Sequence, residues 1–199
     1  FYFLFLLIIF FVFLNFENNF SELFLSLTSS ISNVGFSLNN SSNNLSFVFL
    51  ILVIIGGSFF STSSGIRFLK IYSLFKYSIN EILSYSRPKN IYINKHLFSK
   101  DSFKLDEIYK YFLSVIVFII SLLILTFLLT LSGIDFESSF KLSILTIMNT
   151  VNSSMFGLAD FSFYDLHFIT KYYLIFFMII GRLELLTLLI ICKKFLFKN

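Results

Sequence analysis

Phe136-Glu137-Ser138-Ser139-Phe140 has a counterpart earlier in the chain, Phe16-Glu17-Asn18-Asn19-Phe20, with the same Phe-Glu-x-x-Phe pattern. Each copy stands between a long apolar run and a short apolar stretch that leads to a glycine: Gly35, 18 residues after Glu17, and Gly157, 20 after Glu137. A polar gap and a second long apolar run follow each glycine. A duplicated unit of span, short stretch, glycine and second span is the layout of an ion pore built from repeats.

Around these copies the composition identifies the solvent. The 199 residues are 57% apolar and 13% charged, with a mean hydropathy of +0.87, far outside soluble domains. Leu45 to Ile55, Tyr109 to Leu131 and Tyr172 to Cys192 approach or exceed the roughly 20 residues that cross about 30 Å of hydrocarbon. The opening run Phe1 to Leu14 has no basic flank, so it reads as a span cut at its start rather than a signal peptide. The chain is therefore expected to be the C-terminal part of something longer. Thirty-one Phe residues beside one Ala, one Pro and no Trp reflect base composition and packing, not an aromatic site. Tyr and Phe must then supply the interfacial belt. Cys192 is alone, and His96 and His167 lie far apart in polar segments, so neither a disulfide nor a metal centre is expected. No spacing joins a nucleophile to a base, which argues against an enzyme. No resident cofactor and no nucleic-acid partner are expected; the lipid bilayer is.

Charge sorts the loops. Nine basic residues lie between Arg67 and Lys110, and the tail adds Lys193, Lys194 and Lys198. By the positive-inside rule this loop and the C-terminus face the cytoplasm. Segments holding Glu17, Glu22, Asp135, Glu137, Asp160 and Asp165, with only Lys141 and Lys171 against them, face outward. An acidic mouth concentrates cations, though ordinary solvated loops look the same. The resulting organisation is residues 1–78 as one span-pore-span repeat, 79–108 as a basic cytoplasmic linker and 109–199 as a second repeat.

Ser21 to Ile31 is about 16 Å of helix, half a bilayer. It enters from outside and stops near the middle, with irregular backbone beyond, which membranes accept only where it is buried in protein or lines water. Ser138 to Thr150 is expected to do the same. The C-terminal end of such a half-helix carries partial negative charge and favours a cation. The next residues, Asn33, Val34, Gly35 and Phe36 in one copy and Met155, Phe156, Gly157 and Leu158 in the other, would offer backbone carbonyls in place of a hydration shell.

Two polar features interrupt the spans. Gly56, Gly57, Ser58, Ser61, Thr62 and Gly65 break the helix that begins at Leu45; either the helix ends there or the break is a gate below the filter. Arg182 and Glu184 sit inside the last apolar run, where a charge is costly unless paired or facing water. Arg182 is expected on the conduction path, with packing against helix-end carbonyls as the alternative.

Ser32-Asn33-Val34-Gly35-Phe36-Ser37, the Gly56-to-Arg67 segment and Met178-Ile179-Ile180-Gly181-Arg182-Leu183-Glu184 resemble the membrane subunit of Trk/Ktr-type potassium-uptake systems. The resemblance covers essentially the whole chain as the third and fourth of that family's four repeats. It implies an all-α membrane protein, two span-pore helix-span repeats of a four-repeat potassium-channel-like pore, in the bacterial cytoplasmic (inner) membrane. It also implies potassium uptake, with K+ held at filter carbonyls, a gating loop at Gly56 to Gly65 and a pore-narrowing Arg182. Lys171 and Glu184 are supporting residues by the same likeness. The implied partners are the preceding repeats of the same protein, a second copy in a homodimer and a cytoplasmic nucleotide-binding regulatory ring. The chain departs from the family at Phe60, Ser63 and Ser64, where smaller residues are usual. In the fourth filter Gly157 is preferred, with Ser153 the alternative. Competing readings are a sodium-permeable or sodium-coupled cation transporter, a secondary transporter with a midplane solute site, and a non-conducting membrane fragment.

Overall fold

The computed structural model describes residues 20–37, 46–55, 66, 68–86, 105–152, 154–158, 161–164 and 166–182. Within them the chain is all-α: α1 (Phe20–Ile31), α2 (Ser46–Ile55), α3 (Phe68–Ser86), α4 (Leu105–Leu131), α5 (Phe136–Met148) and α6 (Phe168–Arg182), with a 3-10 turn at Ser154–Phe156. Phe1 to Leu14, the Gly56 to Gly65 break, most of the basic linker, Ser153 and Glu184 lie outside the described residues.

The 27 residues of α4 make about 40 Å of helix, enough to cross a bilayer. Among the described residues its stretch Glu107–Leu131 is the one helix long and apolar enough to do so. One face, with Phe118, Leu122, Leu125 and Leu129, is buried at helical spacing, and the other exposes Ile120, Leu123, Ile124 and Phe127. A helix apolar on both its packed and its open side needs lipid on the open side.

α5 is the opposite case. Its 13 residues reach only about 20 Å, yet every residue from Leu142 to Met148 is buried. It packs against α4, α6 and α2, and α2 in turn packs on α1 and the 3-10 turn. The core between them holds Leu27, Phe49, Val53, Leu125, Leu145 and Met148. Hydroxyls buried with this helix are satisfied locally: Thr146 donates to the Leu142 carbonyl at 2.7 Å, and Thr126 of α4 and Ser143 of α5 share a 2.7 Å hydrogen bond. That pairing lets a short polar helix sit in an apolar interior without orphaned groups.

Gly133, at φ +91°, turns the chain between α4 and α5, and no atom lies within 4 Å of where its Cβ would be. Its requirement is conformational, not spatial. The helix expected at Ser138 to Thr150 instead begins at Phe136 and stops at Met148. α3 runs on to Ser86 and α4 starts at Leu105, so helix reaches into both ends of the range expected for the linker.

Candidate ion-conducting site

Both half-length helices end the same way. In α1, Asn33 takes the left-handed conformation at φ +58°, its N–H bonds to the Ser30 carbonyl at 3.2 Å and the Val34 N–H to the Ser29 carbonyl at 3.0 Å. In α5, Asn149 is at φ +55°, with its N–H on the Thr146 carbonyl at 3.1 Å and the Thr150 N–H on the Leu145 carbonyl at 2.9 Å. These are two Schellman turns with asparagine in the left-handed seat, a residue whose short polar side chain tolerates it. Ser29 adds more: its carbonyl also takes the Gly35 N–H at 3.4 Å and its hydroxyl the Phe36 N–H at 2.6 Å. Three successive amides, Val34 to Phe36, are thus tied to one residue, and the segment is held irregular but ordered.

The two irregular segments meet. The Val151 N–H donates to the Val34 carbonyl at 3.1 Å, and the hydroxyls of Ser37 and Ser154 lie 3.2 Å apart. Three residues separate the contacts on each side, so the segments run parallel and in step. Counted from the two asparagine caps, the second segment has one residue more before the pairing. Gly35, at φ +83°, sits so close that a Cβ there would lie 2.3 Å from the Val151 carbonyl oxygen and 2.6 Å from Thr150 Cγ2. The Thr150 hydroxyl and the Asn152 Oδ1 are buried and have no hydrogen-bond partner among the described residues.

Met155, Phe156, Gly157 and Leu158 are placed elsewhere. Met155 and Phe156 are fully buried core residues of the 3-10 turn. Gly157 follows at φ +71°, and its open side faces Lys141 in the second turn of α5 and Ser46 at the start of α2. The second turn of α5 is about 10 Å along the helix from Met148, so the chain has climbed back along α5 by Gly157. The atoms nearest Gly35 belong to Thr150 and Val151 instead. Ser153, the alternative, is outside the described residues, but its neighbours Asn152 and Ser154 are in the paired segment.

α6 packs against the end of α5. A Cβ on Gly181 would lie 2.0 Å from the Ile147 carbonyl oxygen, and Asn149 Nδ2 donates to the Met178 carbonyl at 3.0 Å. Arg182, exposed, is the next residue and so stands level with the end of α5. Lys171 is in the first turn of α6, about 16 Å away along the helix, with Nζ on the Tyr164 carbonyl at 3.3 Å. At the start of α5, Lys141 Nζ is 2.6 Å from Glu137 and holds that exposed carboxyl below the usual carboxylate range, through a hydrogen bond and its charge. Asp135 makes no side-chain bond to the helix start.

Sequence reasoning missed Ser29, Asn149, Thr150 to Asn152 and the packing of Gly181. The signal for the caps was present: Ile31-Ser32-Asn33 and Ile147-Met148-Asn149 share Ile-x-Asn at the end of each short helix. Asn149→Ala should lose both the Met178 bond and the left-handed seat, destabilising the protein by about 2 kcal/mol. Asn149→Gly should cost less, since glycine keeps the seat; thermal unfolding in detergent compares the two.

A family model described as TrkH, cation transport protein, matches residues 9–197. No curated protein sequence gave a significant match. The crystal structure of the potassium transporter TrkH from Vibrio parahaemolyticus superposes with a TM-score of 0.79 at 22% sequence identity, covering 94% of this chain and 41% of that one. That likeness shows the fold, and this chain spans under half the length of its structural neighbour. With a family model matched over nearly its whole length, the chain belongs to the TrkH family of cation transport proteins.

Proposed function

We propose that this chain forms two quarters of a potassium-conducting pore in the cytoplasmic membrane. One observation carries the reading: two half-length helices, each ended by a Schellman turn, deliver irregular segments that lie side by side at Val34–Val151 and Ser37–Ser154. Such backbone inside a membrane protein lines water or protein, and the carbonyl ends of the helices favour a cation beside it. The first filter segment is Asn33 to Phe36, and the second is Thr150 to Ser154 in place of the expected Met155 to Leu158. Arg182 narrows the path just below, and Gly56 to Gly65 gates it. The repeats occupy residues 1–78 and 109–199, with the basic stretch 79–108 and the C-terminus in the cytoplasm.

Val34, Phe36 and Val151 are more than half exposed. Apolar side chains left open at the meeting of two filter segments fit cover by the preceding repeats of the same protein, in keeping with the 41% of the neighbouring structure that the chain spans. A second copy and a nucleotide-binding cytoplasmic ring are further partners on the strength of the resemblance alone. A sodium-permeable transporter is the second reading, favoured by Asn152 where the first segment carries Gly35. The full-length protein should restore growth of a potassium-uptake-deficient bacterium on low potassium, and Gly35→Asp should not. Equal growth of both, or of neither at normal membrane abundance, would sink the assignment.

A further inference from the structure

The lysine that follows the second Phe-Glu-x-x-Phe copy has no equivalent in the first, where Ser21 stands at the same step. Lys141 and Glu137 form a 2.6 Å ion pair of unequal halves: the glutamate side chain is 79% exposed and the lysine side chain only 15%. An exposed pair at this spacing would add little beyond helix stability. Here the cation is held inside. Lys141 Nζ lies 3.2 Å from where a Gly157 Cβ would be, with the Ser46 hydroxyl of α2 next at 3.6 Å, and the Gly157 N–H donates to the Ser154 carbonyl at 3.0 Å. Three residues of 3-10 turn rise about 6 Å, which puts the ammonium within about 10 Å of Ser154. Ser154 in turn meets Ser37 of the first segment.

Water screens an exposed carboxylate more than a buried ammonium, whose field passes through protein. The two charges therefore do not cancel at the seam between the segments. A unit charge about 10 Å away changes the occupancy of a cation site roughly two- to fifteenfold, depending on whether the effective dielectric constant is that of water or of a protein surface.

We propose that Lys141 sets the apparent potassium affinity of the pore, as a fixed positive charge behind the second segment that Glu137 partly offsets. The inference rests on the pore reading above and deepens it with a residue outside the filter. Lys141 does not ligate the ion; it acts through the potential at Ser37 and Ser154, where it weakens cation binding. The device belongs to the second repeat, since only that copy of the motif is followed by a lysine.

The test is the concentration dependence of radioactive rubidium uptake by cells carrying the full-length protein, with apparent KM and maximal rate separated and corrected for membrane abundance. Lys141→Gln should lower KM about fivefold, because the uncovered Glu137 attracts the cation. Glu137→Gln should raise KM about threefold, because the ammonium loses its offset. Lys141→Arg, which keeps the charge, should stay within about twofold of wild type. Loss of a merely structural pair would reduce abundance or maximal rate and would not move KM in opposite directions. If Lys141→Gln does not reach the membrane, Glu137→Gln decides, since its side chain is exposed. An unchanged KM in the variants that reach the membrane, or shifts in the same direction, overturns the assignment and leaves a helix-stabilising pair, with the pore reading intact. Wild type that takes up no rubidium overturns the pore reading and this inference with it.

Discussion

Gly181→Ala is expected to abolish cation uptake and to destabilise the packed unit of α4, α5 and α6 by about 3 kcal/mol. Two effects of opposite sign compete. In a solvent-exposed helix interior alanine would gain about 1 kcal/mol over glycine. Here the added methyl would lie 2.0 Å from the Ile147 carbonyl oxygen and 2.9 Å from its carbonyl carbon. These are backbone atoms in the buried last turn of α5, so relief requires α6 to move away from α5. Movement also breaks the Asn149–Met178 bond and displaces Arg182, the residue after the contact. Overpacking wins. The measurements are rubidium uptake in cells and thermal unfolding of the detergent-purified protein. A variant as stable and as active as wild type would show that α6 does not approach α5 this closely.

Gly35→Ala is expected to lower uptake at least about tenfold while changing membrane abundance much less. The methyl would fall 2.3 Å from the Val151 carbonyl oxygen, and left-handed backbone costs alanine about 1–2 kcal/mol. Val34 and Gly35 can relieve this only by pulling away from Thr150 and Val151, which opens the seam between the segments. Gly157→Ala is the informative partner. Its backbone is also left-handed, but its nearest neighbour is the tip of the flexible Lys141 side chain at 3.2 Å. Only the conformational penalty remains, and uptake should stay within about threefold of wild type, since about 0.65 kcal/mol is a factor of three. Equal loss of uptake in both variants would return the second filter segment to Met155 to Leu158.

The short helices were legible because their length against a bilayer and their Ser/Thr-rich apolar content leave few alternatives. Their ends were less so. α5 stops at Met148 rather than Thr150 because Asn149 adopts a left-handed turn, a choice that local sequence permits but does not compel. The Phe-Glu-x-x-Phe marker gained a more modest role at its second copy. Glu137 lies in the first turn of α5, where the helix dipole favours it, but its carboxylate is engaged by Lys141 and it does not close the helix start.

The choice between Gly157 and an earlier residue was beyond local reading. Glycine is a common turn residue, and Gly157 is in fact a turn beside Lys141. What separates it from Gly35 is which chain segment lies opposite. The amino-acid sequence by itself determined the apolar surroundings, the two short helices and the family likeness, because hydropathy, element length and motif order are properties of consecutive residues. Tertiary structure alone decided that Thr150 and Val151 meet Gly35, that Gly181 packs on Ile147, and that Val34 pairs with Val151. Those are contacts between segments far apart in the chain, set by how α1, α5 and α6 share one buried core.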